Sequence, residues 1–334
     1  MTLHAQGIEN ILIAAGDDAK TLTQNYMDPG LKCLVYSLNS GWATTAKTHS
    51  KFGFDVTIGA SFSFVPRNEQ EFLFDSNDYE FLTLPAASSG MLPTVMSEDS
   101  QQSILDVRVP DGNGAFKVAS IKMPGGIAED LPANSVPAPL IQLGFGLPTR
   151  TDVKFRIVPN MEYGDKVKAG VLGIGLQHDF TQYMGFVDSL PLSISGLIAF
   201  SNMNVTYKID DDSDNVTLTN GEGAFNLNTF AIEVLGSLDF PFITLLAGIG
   251  YGVGSSSLEL KGVYELRYEL EDNSGNSLGN VSETIIDPIN LETNNASIRA
   301  RLGGSFNLSV FKIFIDYTLQ EYSTFTGGIA VSVR

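Results

Sequence analysis

The sequence predicts an all-β fold: an antiparallel transmembrane β-barrel of about 10–14 strands, with a short N-terminal helical segment. Three observations carry this. In residues 51–65, Phe52, Phe54, Val56, Ile58, Ala60, Phe62 and Phe64 share one parity, and Gly53, Asp55, Thr57, Gly59, Ser61 and Ser63 share the other. Successive side chains of a strand point to opposite faces, so this is one long strand with a bulky apolar face and a small polar face. A soluble sheet would fill its polar face with charge; Gly, Ser and Thr there suit a barrel with lipid outside and a lumen inside. Second, charged residues make up only 17 % of the chain, against roughly 25 % in soluble domains. No apolar run reaches the 18 or so residues of a membrane helix. Third, tight turns alternate with long acidic loops, as at the two ends of a membrane barrel.

The elements follow in order. Ile8, Ile11, Leu12 and Ala15 are spaced as one helix face that Gly16 ends. Asp17 or Asp18 can cap a second short helix carrying Ala19, Leu22 and Tyr26, stopped by Pro29-Gly30. This leading stretch, residues 1–50, is too short for a domain and is expected to plug the barrel or cap its periplasmic mouth. The barrel proper is expected over residues 51–334. Residues 66–138 alternate poorly, with short strands expected at 72–74, 104–109 and 115–121, and read as a large extracellular excursion that adds two or four strands. From Pro139 the pattern returns: Ile141, Leu143, Phe145 and Leu147, then Val153, Phe155 and Ile157, then Leu172, Ile174 and Leu176.

After a short connector at residues 180–190, expected to be helical, Leu192, Ile194, Ile198 and Phe200 resume a strand. It continues through Met203, Val205 and Tyr207, and its parity shift at Ser201-Asn202 suggests a bulge. Hairpins follow: residues 230–238 turn at Asp239-Phe-Pro-Phe242 into a strand reaching Leu270, and strands at 296–310, 311–319 and 325–333 complete the chain. Phe240, Phe242 and Phe311 fall at tight turns, where an interfacial aromatic girdle is expected. With both termini in the periplasm the strand number should be even, and closure should pair residues 51–65 with the last strand.

The motifs Asp17-Asp-Ala19, Asn39-Ser-Gly-Trp42, Thr45-Ala-Lys47, Gly53-Phe-Asp-Val-Thr57, Pro137-Ala-Pro139, Gln142-Leu-Gly144 and His178-Asp179 carry a resemblance. The chain resembles an uncharacterised family of Bacteroidota outer-membrane proteins, a domain of unknown function. The resemblance implies a Gram-negative outer membrane and a mature start near Gln6, and brings no catalytic residues. Met1-Thr-Leu-His-Ala-Gln6 itself reads as the tail of a signal peptide, so the numbering is expected to begin inside a longer precursor. A helical leader before a long first strand is also similar to long-chain fatty-acid channels, in architecture only.

Little in the sequence points to catalysis. His178-Asp179 could orient a base for a serine, but the plain reading is polarity at a strand end. Cys33 is the single cysteine, and three scattered histidines make no metal site. Asp210-Asp-Asp-Ser-Asp214 lacks the spacing of a calcium loop. Acidic loops at residues 69–80, 210–214 and 265–272 read as solvated, or more sharply as divalent-cation sites beside lipopolysaccharide. The formal charge of −18 disfavours nucleic acid, whose phosphates need clustered Lys and Arg. Gly248, Gly250, Gly252 and Gly254 lie within an alternating strand and are expected to line a crowded lumen.

The informative set is the expected lumen charge: Asp55, Lys154, Arg156, Glu233, Arg299, Arg301, Lys312 and Asp316. Such charges pair with one another and a plug, or line a polar passage. The expectation is a non-enzymatic barrel without cofactor: a plugged pore or transporter for small or hydrophobic compounds. The alternative is a non-conducting scaffold or accessory subunit of a secretion, barrel-insertion or motility complex. Its surroundings are outer-membrane lipid and lipopolysaccharide, with other outer-membrane proteins as candidate partners.

Overall fold

The computed structural model describes residues 8–86, 88–98, 103–164, 166–185, 191–209 and 215–333. A 3-10 helix, Ile8–Ala14, leads into α1, Gly16–Asn39. The strands are β1 Phe54–Ser63, β2 Glu71–Leu73, β3 Leu82–Thr83, β4 Met91–Pro93, β5 Ile104–Pro110, β6 Phe116–Lys122, β7 Val136–Leu147 and β8 Thr151–Tyr163. They continue as β9 Val167–Asp179, β10 Leu192–Ile209, β11 Val216–Asp239, β12 Ile243–Glu271, β13 Ser277–Ile286, β14 Ile289–Leu308, β15 Phe311–Leu319 and β16 Thr324–Val333.

Ten of these close a ring, in the order β1, β7, β8, β9, β10, β11, β12, β14, β15, β16 and back to β1. Every neighbouring pair is antiparallel, and closure runs from Phe54↔Val333 to Ser63↔Thr324. Period-two alternation explains the ring's two faces. Outward residues such as Ile298 and Leu302 are 72 % and 69 % exposed, which only a lipid surround accommodates for side chains of this size. Their strand neighbours Arg299 and Arg301 are buried. Phe240, Phe242 and Phe311 stand exposed at the tight-turn end. No described helix is long and apolar enough to cross a membrane; the strands do so.

The excursion between β1 and β7 adds no strand to the ring. β6 joins the far end of β12 at Glu269–Glu271, with β5 and then β3 beyond it, and β2 pairs with β4. They form a roof over the long-loop end.

The leading stretch corrects the sequence reading in three ways. α1 runs through Pro29-Gly30 rather than stopping there. Pro29 forfeits the bond to the Asn25 carbonyl, but Leu22, Tyr26, Leu31, Val35 and Tyr36 are buried by surrounding walls, which hold the helix together. Gly30 permits that packing, since a Cβ there would meet Val95 at 2.8 Å. Neither Asp17 nor Asp18 caps the helix. Asp18 instead accepts hydrogen bonds from the Glu80 and Phe81 amides of the roof, at 2.9 and 2.7 Å.

The third correction concerns sidedness. Ile13 O accepts from the Tyr268 hydroxyl (3.2 Å) at the long-loop end, whereas the His49 amide donates to Asp152 (2.9 Å) beside a tight turn. The chain therefore descends the whole lumen before β1 begins. Ile8 lies at the opposite end from the close of β16, not on the same side. That inner traverse is the extra crossing a simple even-strand count overlooks.

β10 carries no bulge: its register with β9 and β11 is unbroken from Ser195 to Tyr207. Thr181–Tyr183 forms a 3-10 turn in the connector that precedes β10; residues 186–190 lie outside the described residues.

Candidate functional site

The lumen has a charged lower half, built around the end of α1. A helix leaves its last carbonyls without partners, at the negative end of its dipole. Two arginines meet them, and a third binds the chain just beyond. Arg156 of β8 donates to Leu38 O (2.8 Å) and Ser40 O (3.0 Å). Arg299 of β14 donates to Asn39 O (2.9 Å) and Ser40 Oγ (3.2 Å). Arg301, two residues along the same strand face, donates to Ala43 O. Glu233 of β11 lies 2.9 Å from Arg299 Nε and 3.6 Å from Arg301 Nη1, and Asp316 of β15 lies 2.7 Å from Arg301. All five side chains belong to residues no more than 3 % exposed.

Glycines make the room for this cluster. Gly250 stands between Glu233 and Arg299 in register, Gly248 opposite Arg301, and Gly303 opposite Asp316. A Cβ on Gly250 would lie 2.8 Å from Glu233 Cγ, and one on Gly303 2.5 Å from Asp316 Cβ. The glycine run that reads as lumen-lining in sequence thus alternates with large charged side chains on adjacent strands.

Below α1 the chain is tied to the wall at each step. The Trp42 ring stacks on the Arg156 guanidinium at 4.1 Å, with Gly173 and Gly175 beneath it. Gln142 Nε2 donates to Trp42 O (3.2 Å), Lys312 Nζ to Thr44 Oγ1 (3.1 Å), and Gln177 Nε2 to Thr45 O (2.9 Å). His49 Nδ1 pairs with Asp152 Oδ2 at 2.9 Å, and its Nε2 lies 3.7 Å from Asp55. Lys154 is buried at this level, with Gly144 and Gly175 as register partners. The eight charges picked out in sequence are all buried, and of them Arg156, Arg299, Arg301 and Lys312 donate directly to the inner segment.

Sequence reasoning missed His49, Trp42 and Gln142 as members of this layer. The signal for Trp42 was the pair Gly173 and Gly175 on one strand face. His178 meets Thr151 (2.7 Å), Tyr183 (3.2 Å) and Gln182 (3.4 Å) rather than a serine. Asp179 accepts from the Thr181 amide at 2.8 Å, a turn contact. The acidic run at 210–214 and His4 lie outside the described residues. Among the described residues no group of three or more His, Cys, Asp or Glu is placed to hold a metal.

Above the arginines the lumen turns apolar. Val158, Val171, Met203, Val205 and Phe225 of the wall face Met27 and Leu34 of α1 around a cavity of about 540 Å³, a size typical of small-molecule sites. Among the described residues no charged side chain lines it. The Tyr26 hydroxyl at its border donates away, to Gly125 O at 2.7 Å. This chamber explains the parity shift on β10. Met203, Val205 and Tyr207 face inward, while Asn202 and Asn204 exchange hydrogen bonds with Asn226 and Asn228 or with each other on the outer face. The strand keeps its faces; the apolar residues change sides.

Solved barrels share features with this ring. The attachment invasion locus protein Ail of Yersinia pestis is 8 % identical, with 85 % of this chain and 99 % of that one covered and a TM-score of 0.26. The translocator domain of the autotransporter NalP from Neisseria meningitidis is 12 % identical, with coverages of 94 % and 97 % and a TM-score of 0.27. A BenF-like porin from Pseudomonas fluorescens Pf-5 is 11 % identical, with coverages of 84 % and 98 % and a TM-score of 0.14. At scores this low the ring's own strand pairing, not these structures, defines the fold. No curated protein sequence matches the chain. The family of unknown function DUF6588 matches residues 1–333, and the chain belongs to that family.

Proposed function

We propose that this barrel works in the outer membrane of a Gram-negative bacterium as a plugged carrier of small apolar compounds, not as an ion-conducting pore. The observation that carries the reading is the uncharged chamber of about 540 Å³ lying directly above a charge-paired floor. Ions need a hydrated path lined by polar groups; the arginines here are engaged by helix carbonyls and carboxylates instead. An apolar guest, in contrast, gains by leaving water for the chamber. The test is purified full-length protein. In planar bilayers it should give no open-channel steps. In detergent it should bind the apolar fluorophore N-phenyl-1-naphthylamine saturably, and Met203→Trp, which fills the chamber, should abolish binding while preserving heat-modifiable gel mobility. Steady conductance, or binding indifferent to Met203→Trp, refutes the reading.

A second reading, a non-conducting scaffold or accessory subunit, is favoured by the filled lumen alone. A stoichiometric partner in a crosslinking pull-down from native membranes, together with absent fluorophore binding, would select it.

A further inference from the structure

The wall of the ring is interrupted beside the chamber. β7 pairs with β1 from Val136↔Ser63 to Phe145↔Phe54. With β8 it pairs only from Gln142↔Arg156 to Leu147↔Thr151. Above that point, residues 136–141 of β7 and 157–163 of β8 form no ladder, although β8 continues to pair with β9 up to Tyr163↔Val167.

The sequence dictates the break. Carrying the β7–β8 register three residues past Gln142↔Arg156 sets Pro139 opposite Pro159. The Gly146 amide donates to Gly53 O of the β1 side at 2.8 Å, so even-numbered residues of β7 turn their backbone to β1 and odd-numbered ones to β8. On the other edge, Arg150 O accepts from the Asp179 amide at 3.0 Å, so the odd-numbered residues of β8 turn to β7. Pro137, Pro139 and Pro159 therefore all face the break with a nitrogen that carries no hydrogen. The β8 register shift between Val158 and Met161 falls at the same level. In lipid an unpaired amide is costly, and proline removes the amide.

The break opens onto the chamber. The cavity is lined by Pro137 and Pro139 on one edge and by Val158 and Ala169 on the other side. It also touches Ala60, which shares the outward parity of Ile58 and Phe62. It thus spans the wall from its inner to its outer face.

We propose that this gap is a lateral doorway, through which a small uncharged apolar molecule moves between the chamber and the surrounding lipid. The proposal rests on the carrier reading and adds the route and the class of guest. With no cation or anion among the described lining residues, a molecule bearing a formal charge would be left unpaired there, so carboxylate-bearing lipids are excluded as guests.

Two measurements on full-length protein in phospholipid vesicles test it. In a Cys33→Ser background, a bimane label at Ala169→Cys reports on the chamber, with Ile298→Cys in the lipid belt and Asp272→Cys at an exposed hairpin tip as limits. Nitroxides on the phospholipid acyl chains should quench the Ala169 label clearly above the Asp272 level. Quenching at the Asp272 level overturns the doorway, whether or not the chamber binds a guest. The second uses P139V/P159V, which restores two facing amide donors. Transfer of N-phenyl-1-naphthylamine from vesicle lipid should slow about tenfold. An unchanged transfer rate overturns the lateral route and leaves the chamber reading standing. Absent binding in the unaltered protein overturns the chamber reading, and the quenching result then decides the doorway by itself.

Discussion

Glu233 is shared by two of the lumen arginines, and Glu233→Gln removes its charge while keeping its shape. Its carboxylate lies 2.9 Å from Arg299 and 3.6 Å from Arg301. At an effective dielectric of about 20, Coulomb's law gives roughly 5 kcal/mol for each contact. Desolvation of the three groups offsets much of that, and breaking a buried pair by removing one partner costs about 3–5 kcal/mol. In the variant, Arg156, Arg299 and Arg301 face Asp316 as the remaining carboxylate of the cluster. We expect a loss of about 3–5 kcal/mol in urea unfolding of the detergent-solubilised barrel. The control is Glu259→Gln, which breaks the Lys261 pair at 2.9 Å with both side chains 39 % or more exposed; surface pairs of that kind contribute less than about 1 kcal/mol. If Glu233→Gln costs no more than the control, the lumen floor is hydrated and the argument for a sealed passage fails.

Two further outcomes follow from packing and ionisation. Gly175→Val places a Cβ 2.9 Å from the Trp42 ring, an overpacking worth about 1–3 kcal/mol; in a Trp42→Ala background the same change should cost clearly less, and an additive double-mutant cycle would refute the contact. Tyr322 is buried and its hydroxyl donates to Glu69 at 2.5 Å, which together raise its pKa above the ordinary value. Its share of stability is fully present below about pH 10, the unfolded pKa, and is lost as pH rises from there towards the folded value. Thermal midpoints between pH 8 and 11 should fall less steeply in Tyr322→Phe, and parallel profiles would argue against the contact.

Much of the ring was legible because lipid and lumen impose opposite demands on alternate residues. Residues 51–65 announce β1, and the eight buried charges stand out because a lipid-facing position tolerates none of them. What misled was local reading of features set by tertiary surroundings. Pro29-Gly30 ends a helix in water, yet α1 passes through it because the barrel wall holds both sides. Met203, Val205 and Tyr207 looked like a slipped register because apolar residues were assumed to face lipid, whereas here the upper lumen is itself apolar. Nothing local to Trp42 or His49 marks a place in the lumen; their partners lie about a hundred or more residues away, at Arg156 and Asp152. The prolines at 137, 139 and 159 were visible, but their meaning required the β7–β8 register.

The descent of α1 and the segment after it through the lumen, with β1 as the direct continuation, bears on assembly. Trp42 and the carbonyls of the inner segment are held by arginines of the ring wall, and β1 forms the closing seam with β16. The ring must therefore close around a segment already in place, as a cask is hooped around its contents. Insertion into the bilayer and filling of the lumen become one event, and a chain lacking the inner segment would close over buried, uncompensated arginines.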